Sequence, residues 1–219
     1  NFKNFYTNLN LFNNLFEFFF ENTPKKIIFL SSAEVYGHYM GKKRIDENTK
    51  LMPATNYSLV KILQEKIIRF FSEKLGFDYL ILRLPGVYGN DPENQNIISK
   101  MISAKNKSKF FKLNTSGNEL RDYVYVNDIG KIITRLTIKN TKNSIVNISS
   151  GKSFKINEIK NFIEKNLNKK IYFKKVKQKN KTEYNLIYDN KKLKTFLPKF
   201  KFKYLNSFNF QKEFLWSIN

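Results

Sequence analysis

Cysteine is absent from the 219 residues, which excludes disulfides and thiolate metal sites and is compatible with a reducing cytoplasm. Histidine occurs once, as His38, with no Cys or carboxylate at ligand spacing, so it reads as a loop residue and no metal is expected. Arginine is scarce: Arg44, Arg69, Arg83, Arg121 and Arg135 are all there is, against a formal charge of +22. Forked base and phosphate contacts favour arginine. The lysines are scattered, thickest between Lys165 and Lys203, and accompany abundant Asn, Ile and Phe, as an A/T-rich coding sequence would produce. A nucleic-acid partner is therefore not expected. No apolar run reaches the roughly 18 residues that cross a bilayer. LFNNLFEFFF, residues 11–20, is interrupted by two asparagines and a glutamate and reads as an amphipathic helix. No secretory-leader pattern is present.

What is there alternates between two periods. Phe5, Leu9, Phe12, Phe16 and Phe19 lie on one helical face, predicting a helix over 5–21 that Thr23-Pro24 ends. Lys26 to Ser31 reads as a short buried strand, followed by a loop of about twenty residues punctuated by Gly37, Gly41 and Pro53. A helix is expected from Ala54 to Leu75, capped by Gly76, and a second apolar strand from Tyr79 to Leu84. Strand, long helix, strand, with both strands apolar throughout, argues for a parallel sheet. Shorter elements follow: helices at 97–104, 128–138 and 156–167, strands at 110–113, 123–126, 145–148 and 171–173, and a last helix over 205–218 holding Trp216. The phenylalanine stripes read as core or dimer face. No internal repeat is visible.

Polar residues at the end of an apolar strand fall where an open α/β sheet meets its ligand. SSAEVYG, residues 31–37, is such a stretch. Further on, YSLVK sets Tyr57 and Lys61 four apart on one helix face. An ammonium beside a phenol favours the phenolate and is expected to pull Tyr57 below its ordinary value of about 10. Such a tyrosine can serve as a general base towards an alcohol. Ser32, at the strand end, could hydrogen-bond the same substrate oxygen.

In order along the chain, IIFLSSAEVYG, YSLVK, LRLPGVYG and RDYVYVNDIG resemble the extended short-chain dehydrogenase/reductases, specifically the NAD-dependent nucleotide-sugar epimerases and dehydratases. NISSGKSFKINEI and YDNKKL resemble weaker later blocks. The resemblance implies an α/β fold: the C-terminal part of a Rossmann-type parallel sheet with a small α/β substrate-binding lobe. Residues 1–90 would form a partial dinucleotide-binding domain. Residues 91–219 would form mainly the lobe, with 121–150 returning to the core. It implies Ser32, Tyr57 and Lys61 as the catalytic set. NAD, or NADP in its place, would be bordered by Leu30, Ser31, Tyr57, Lys61 and Pro85. A nucleotide-diphosphate sugar would be held by Ser32, Gly86, Asn96 and Arg121, the last pairing with the diphosphate unless it is spent in an ion pair with Asp122 or Asp128. The expected reaction passes through a 4-keto sugar, for surface-polysaccharide supply, in a homodimer.

Three departures bear on these expectations. The family's GxxGxxG phosphate loop is absent, so the chain resembles the back part of an enzyme and is expected to bind NAD poorly on its own. Gly86 stands where many relatives carry an asparagine. A late arginine is replaced by Lys179 or Lys181. In the sugar 4,6-dehydratases an acid–base pair follows the Ser or Thr; here it reads Ala33-Glu34, and alanine cannot protonate a leaving group. Glu34 is then a base or a loop hydrogen-bonder. Epimerisation, which needs no such acid, leads; a dehydratase, decarboxylase or 4-keto reductase follows. A non-catalytic remnant that binds a sugar nucleotide or a partner is the alternative of another class. SSGKS at 149–153 is no P-loop, because the glycine required five residues before Gly151 is Val146.

Overall fold

In the computed structural model, which describes residues 2–41, 43–89, 96–103, 111–175 and 183–213, the chain alternates helices and strands. The first half comprises α1 (Phe2–Glu21), β1 (Lys26–Ser32), α2 (Asn56–Leu75), β2 (Asp78–Leu84), β3 (Gly86–Tyr88) and α3 (Ile97–Ser103). The second comprises β4 (Phe111–Leu113), β5 (Leu120–Tyr125), α4 (Val126–Thr137), β6 (Ser144–Asn147), β7 (Ser153–Lys155) and α5 (Ile156–Leu167). It closes with β8 (Phe173–Lys175), α6 (Lys191–Phe196) and the short α7 (Phe210–Glu213).

The apolar strands make a parallel sheet in the order β1-β2-β6, with Lys26 opposite Asp78, Ser32 opposite Leu84, and Leu80 opposite Ser144. Alternation along β1 sends Ile27 and Phe29 towards the helical layer and Ile28 to the opposite face. On the helical side Phe16 of α1 is buried, stacked on Phe71 of α2 at 4.6 Å, while Phe12 meets Phe29 edge-on at 5.4 Å. Each such burial stabilises by about 1.5–3 kcal/mol, which explains why a helix with five asparagines forms here. Helix α2 is delimited by its own sequence. Thr55 and Ser58 cap the start reciprocally, and Gly76, in the left-handed region at φ +79°, ends it.

A second sheet, β3-β5-β7, lies beyond the carboxyl ends of the first, with β3 parallel and β7 antiparallel to β5; β4 and β8 form a separate parallel pair. A core cluster beside this second sheet gathers Tyr88, Ile98, Met101, Ile159, Ile163 and Phe208. Residues from β2, β5, α4, β6 and α6 share another cluster, which joins the two sheets.

Several boundaries differ from the periodicity. Strand β5 begins at Leu120 rather than Tyr123, because Leu120–Asp122 pair with Ser153–Lys155, a contact with no local signature. The YDNKKL block starts helix α6, where the Asp189 carboxylate accepts the Lys191 N–H at 2.7 Å. The expected 171–173 strand is displaced to Phe173–Lys175. The expected C-terminal helix is, among the described residues, a turn at Leu205–Ser207 followed by α7; Trp216 lies outside them. The long loop after β1 opens with a helical turn, Ala33–Tyr36, because Ser32 Oγ accepts the Glu34 N–H at 3.1 Å. Gly37 closes that turn at φ +59°, and a Cβ there would strike the Met52 carbonyl. Among the described residues no helix is long and apolar enough to cross a membrane.

Candidate active site

A cavity of about 220 Å³ opens where β1 and β2 end. Ser32, Pro85 and Gly86 border it from the strand ends, Glu34 from the following turn, and Arg121 and Tyr188 from the later chain. This is the carboxyl edge at which open α/β sheets take ligands.

Ser32 is buried, its Oγ accepts the Glu34 N–H at 3.1 Å, and its side chain lies close enough to the Tyr57 phenol to act on its ionisation. Tyr57 stands in the first turn of α2 and is 52% exposed. Its phenol is pushed above its ordinary value, first by desolvation, with Ser32 pulling down and the Glu34 charge pushing up. This corrects the expectation of a phenol lowered by Lys61. The ammonium lies over ring faces, 5.7 Å from the Tyr57 centroid and 4.8 Å from that of Phe29, and donates to the Leu30 carbonyl at 2.9 Å. Desolvation lowers the Lys61 pKa, and the Glu65 charge opposes it. The structure thus brings Ser32, Tyr57, Lys61 and the Leu30 backbone together.

Of the other expected residues, Pro85, Gly86, Glu34 and Arg121 border the cavity, while Ser31 and Asn96 are engaged elsewhere. Ser31 is adjacent in sequence, but its buried hydroxyl donates to Glu65 Oε1 at 2.5 Å and is directed at α2. Pro85 and Gly86 border the cavity, and a Cβ on Gly86 would collide with the Tyr123 ring, which fills the space a larger residue would need. Asn96 is engaged in local structure: its Nδ2 donates to the Val87 carbonyl at 2.8 Å and its Oδ1 accepts the Ser99 N–H at 2.8 Å, capping α3. It is not one of the residues that border the cavity. Glu34 is exposed at the cavity rim.

Arg121 is held as a wall. Its Nη1 donates to the Leu120 carbonyl at 2.9 Å and the Tyr184 carbonyl at 2.6 Å, and its guanidinium lies 5.0 Å over the Tyr184 ring. The alternative of an ion pair with Asp122 or Asp128 is not realised. Asp122 is buried and accepts the Ser149 and Ser150 hydroxyls, and Asp128 accepts the Lys203 N–H at 2.7 Å and faces Lys131 at 3.9 Å. Lys179 and Lys181 lie outside the described residues. His38 stacks on Tyr184, 4.6 Å between rings. Among the described residues no cluster of three or more His, Cys, Asp or Glu could hold a metal ion.

Sequence reasoning missed the polar layer beneath the site. Glu65 and Arg83 form a buried two-pronged pair, Nη2 to Oε2 at 2.7 Å and Nε to Oε1 at 3.0 Å, and Arg83 Nη1 donates to the Tyr36 hydroxyl at 2.9 Å. Glu65 follows Lys61 by four residues, so the helical repeat that singled out Tyr57 and Lys61 also pointed to it.

A parallel sheet with a helical layer, and hydroxyl, phenol and ammonium gathered at its carboxyl edge, defines a Rossmann-type α/β protein. The profile of the NAD dependent epimerase/dehydratase family matches residues 2–149. A presumed UDP-glucose 4-epimerase of Methanocaldococcus jannaschii is 37% identical over 145 residues, 64% of this chain and 46% of that protein. The dTDP-4-dehydro-6-deoxyglucose reductase of Escherichia coli is 30% identical over 172 residues, 77% of this chain and 52% of that protein. Among solved structures, a UDP-N-acetylglucosamine 4-epimerase from Methanobrevibacter ruminantium M1, in complex with UDP-N-acetylmuramic acid, superposes with TM-score 0.80 at 27% identity, covering 94% of this chain and 66% of that one. The chain belongs to the NAD dependent epimerase/dehydratase family. It spans about half the length of the curated relatives it matches.

Proposed function

We propose that the protein acts on a nucleotide-diphosphate sugar with NAD as cofactor, as an epimerase working through a 4-keto sugar. The observation that carries this reading is the closeness of Ser32, which lines the cavity, to the Tyr57 phenol, with Lys61 one turn further along α2; Tyr57 and Lys61 are not themselves among the lining residues. The donor set suits the nicotinamide end of NAD. The Lys61 ammonium keeps protons beyond the one donated to Leu30 for ribose hydroxyls, and Leu30 and Pro85 offer partly exposed apolar surface for the ring. When bound, the cofactor supplies hydride acceptance from the sugar C4 and its return.

The chain's own residues do the remainder. Ionised Tyr57 takes the C4 hydroxyl proton and gives it back on reduction. Ser32 hydrogen-bonds the same oxygen, and Arg121 presents a guanidinium for diphosphate oxygens. Return of hydride to the other face of a rotated keto sugar inverts C4. Neither an acid at position 33 nor a metal is called upon. Exposed Glu34 at the rim favours a second reading, in which a carboxylate removes the C5 proton as a dehydratase requires. A second copy of the chain is proposed to pack on α1, where Leu11, Leu15 and Phe18 are 62%, 41% and 58% exposed along one face.

The test is incubation of the whole protein carrying these residues with NAD⁺ and UDP- or dTDP-hexoses, with product stereochemistry read by NMR. Inversion at C4 supports the epimerase, a 4-keto-6-deoxy product the dehydratase. Sugar-nucleotide binding without turnover supports the non-catalytic alternative and sinks the enzyme reading. Light scattering reads the dimer, and a monomeric mass rejects it.

A further inference from the structure

We propose that Glu65 is a positioning residue for this centre: from α2, one turn beyond Lys61, its buried carboxylate ties together the strand end that carries Ser32 and the helix that carries Tyr57 and Lys61. The inference rests on the reading above for the roles of those three groups, and on geometry for the rest.

Glu65 is held from two strands at once. From β1 the Ser31 hydroxyl donates at 2.5 Å, immediately before Ser32. From β2 Arg83 donates two hydrogen bonds, at 2.7 and 3.0 Å. Both ion-pair side chains are nearly sealed, 4% exposed for Glu65 and 3% for Arg83. Arg83 is itself braced by the Tyr36 hydroxyl at 2.9 Å and the Glu47 carbonyl at 3.2 Å. Tyr36 passes the bracing on, donating to Asn147 Oδ1 on β6 at 2.7 Å, and Glu47 Oε1 accepts the Asn147 N–H at 2.7 Å. All three strands of the parallel sheet and α2 therefore share one hydrogen-bonded layer directly under the site.

A buried pair of this kind is weak evidence for net stability, since well-packed apolar residues could replace it at little cost. What apolar residues could not supply is direction for the Ser31–Ser32 backbone and a negative charge next to Lys61. Desolvation works against the Lys61 ammonium, and Glu65 is the charge that counters it. The charged and titratable groups around the carboxylate are Lys61 on its own helix, Arg83 from β2, Tyr36 from the turn after β1, and Glu47 from the following loop.

The test is an NMR titration of ¹³C-labelled lysine and tyrosine side chains in the 219-residue chain, with circular dichroism reporting the fold at each pH. In Glu65→Gln the Lys61 midpoint is expected to move to lower pH, and in Glu65→Asp to return part of the way. Should Glu65→Gln fail to fold because Arg83 is left unpaired, the double variant Glu65→Met, Arg83→Met removes both charges together. The Lys61 midpoint is expected to drop there too. Folded variants in which Lys61 and Tyr57 titrate as in the wild type, with only the melting temperature changed, overturn the proposal. In the whole protein Glu65→Gln is expected to lower kcat about 10²-fold, the effect of a misplacement of about 1 Å at a reacting centre, with KM little changed. An unreactive wild type would defeat the proposed function and leave the titration to decide the role of Glu65.

Discussion

The Lys61 ammonium sits 5.7 Å from the centroid of the Tyr57 ring, over its face, and is anchored to the Leu30 carbonyl at 2.9 Å. Helical spacing puts the two residues on one face, but the ammonium does not reach the hydroxyl. The phenol thus depends on Ser32 for help in ionising, and desolvation outweighs that help.

Tyr57→Phe removes the proposed base while leaving the ring, so turnover should fall about 10²- to 10⁴-fold with nucleotide affinity retained. Because the wild-type phenol is held above its ordinary value, kcat should rise with pH through the neutral range as the ionised fraction grows. Steady-state kinetics across pH, with affinity from calorimetry, checks both. Unchanged turnover in Tyr57→Phe rejects the base.

Arg121→Ala should weaken binding of a nucleoside diphosphate by about 1.5–3 kcal/mol, the range for hydrogen bonds to charged groups. Arg121→Lys should recover little of it, since the planar fork and the stacking on Tyr184 are lost with the guanidinium. Titration calorimetry with UDP is the measurement, and full recovery by lysine contradicts the forked contact.

At Gly86, even a methyl group meets the Tyr123 ring. Gly86→Ala should destabilise by about 1–3 kcal/mol through overpacking. Adding Tyr123→Ala should make the two changes less than additive, because the second removes the atoms that clash. Denaturant unfolding of the four-member cycle reads the coupling.

Burial pushes the Asp122 carboxyl up to about 6 from 3.8, against the pull of the Ser149 and Ser150 hydroxyls. A pKa raised on folding means that the folded chain holds a proton the unfolded chain releases. The contribution is therefore complete below about pH 3.8 and is lost as pH rises through about 6. Measured by unfolding at each pH, the stability of the wild type relative to Asp122→Asn should decline across that window by on the order of 2–3 kcal/mol, and level off above it.

Tyr36 gives the alkaline counterpart. Desolvation pushes its phenol up to about 12 despite Arg83 alongside. Stability from this group is complete below its ordinary value of about 10 and is lost as pH climbs through 12. Tyr36→Phe should flatten that part of the pH–stability curve.

The sequence by itself determined the features written within a few residues of one another. The stripe through Phe12, Phe16 and Phe19 forms a helix, Thr55, Ser58 and Gly76 delimit α2, and the apolar runs at Lys26 and Asp78 become adjacent parallel strands. The order of four motif blocks located the Ser32–Tyr57 pairing as well, because it depends on a strand end and a helix start that local residues specify. Tertiary structure decided the rest. The direction of the Lys61 ammonium, the Arg121 wall built on a Tyr184 carbonyl 63 residues away, and the Asp122 partners 27 and 28 residues on are contacts between distant segments. The state of each ionisable group follows from how much water those segments exclude. Desolvation is a property of the packed chain, and so the charge on Tyr57 could not be read from a lysine one turn away.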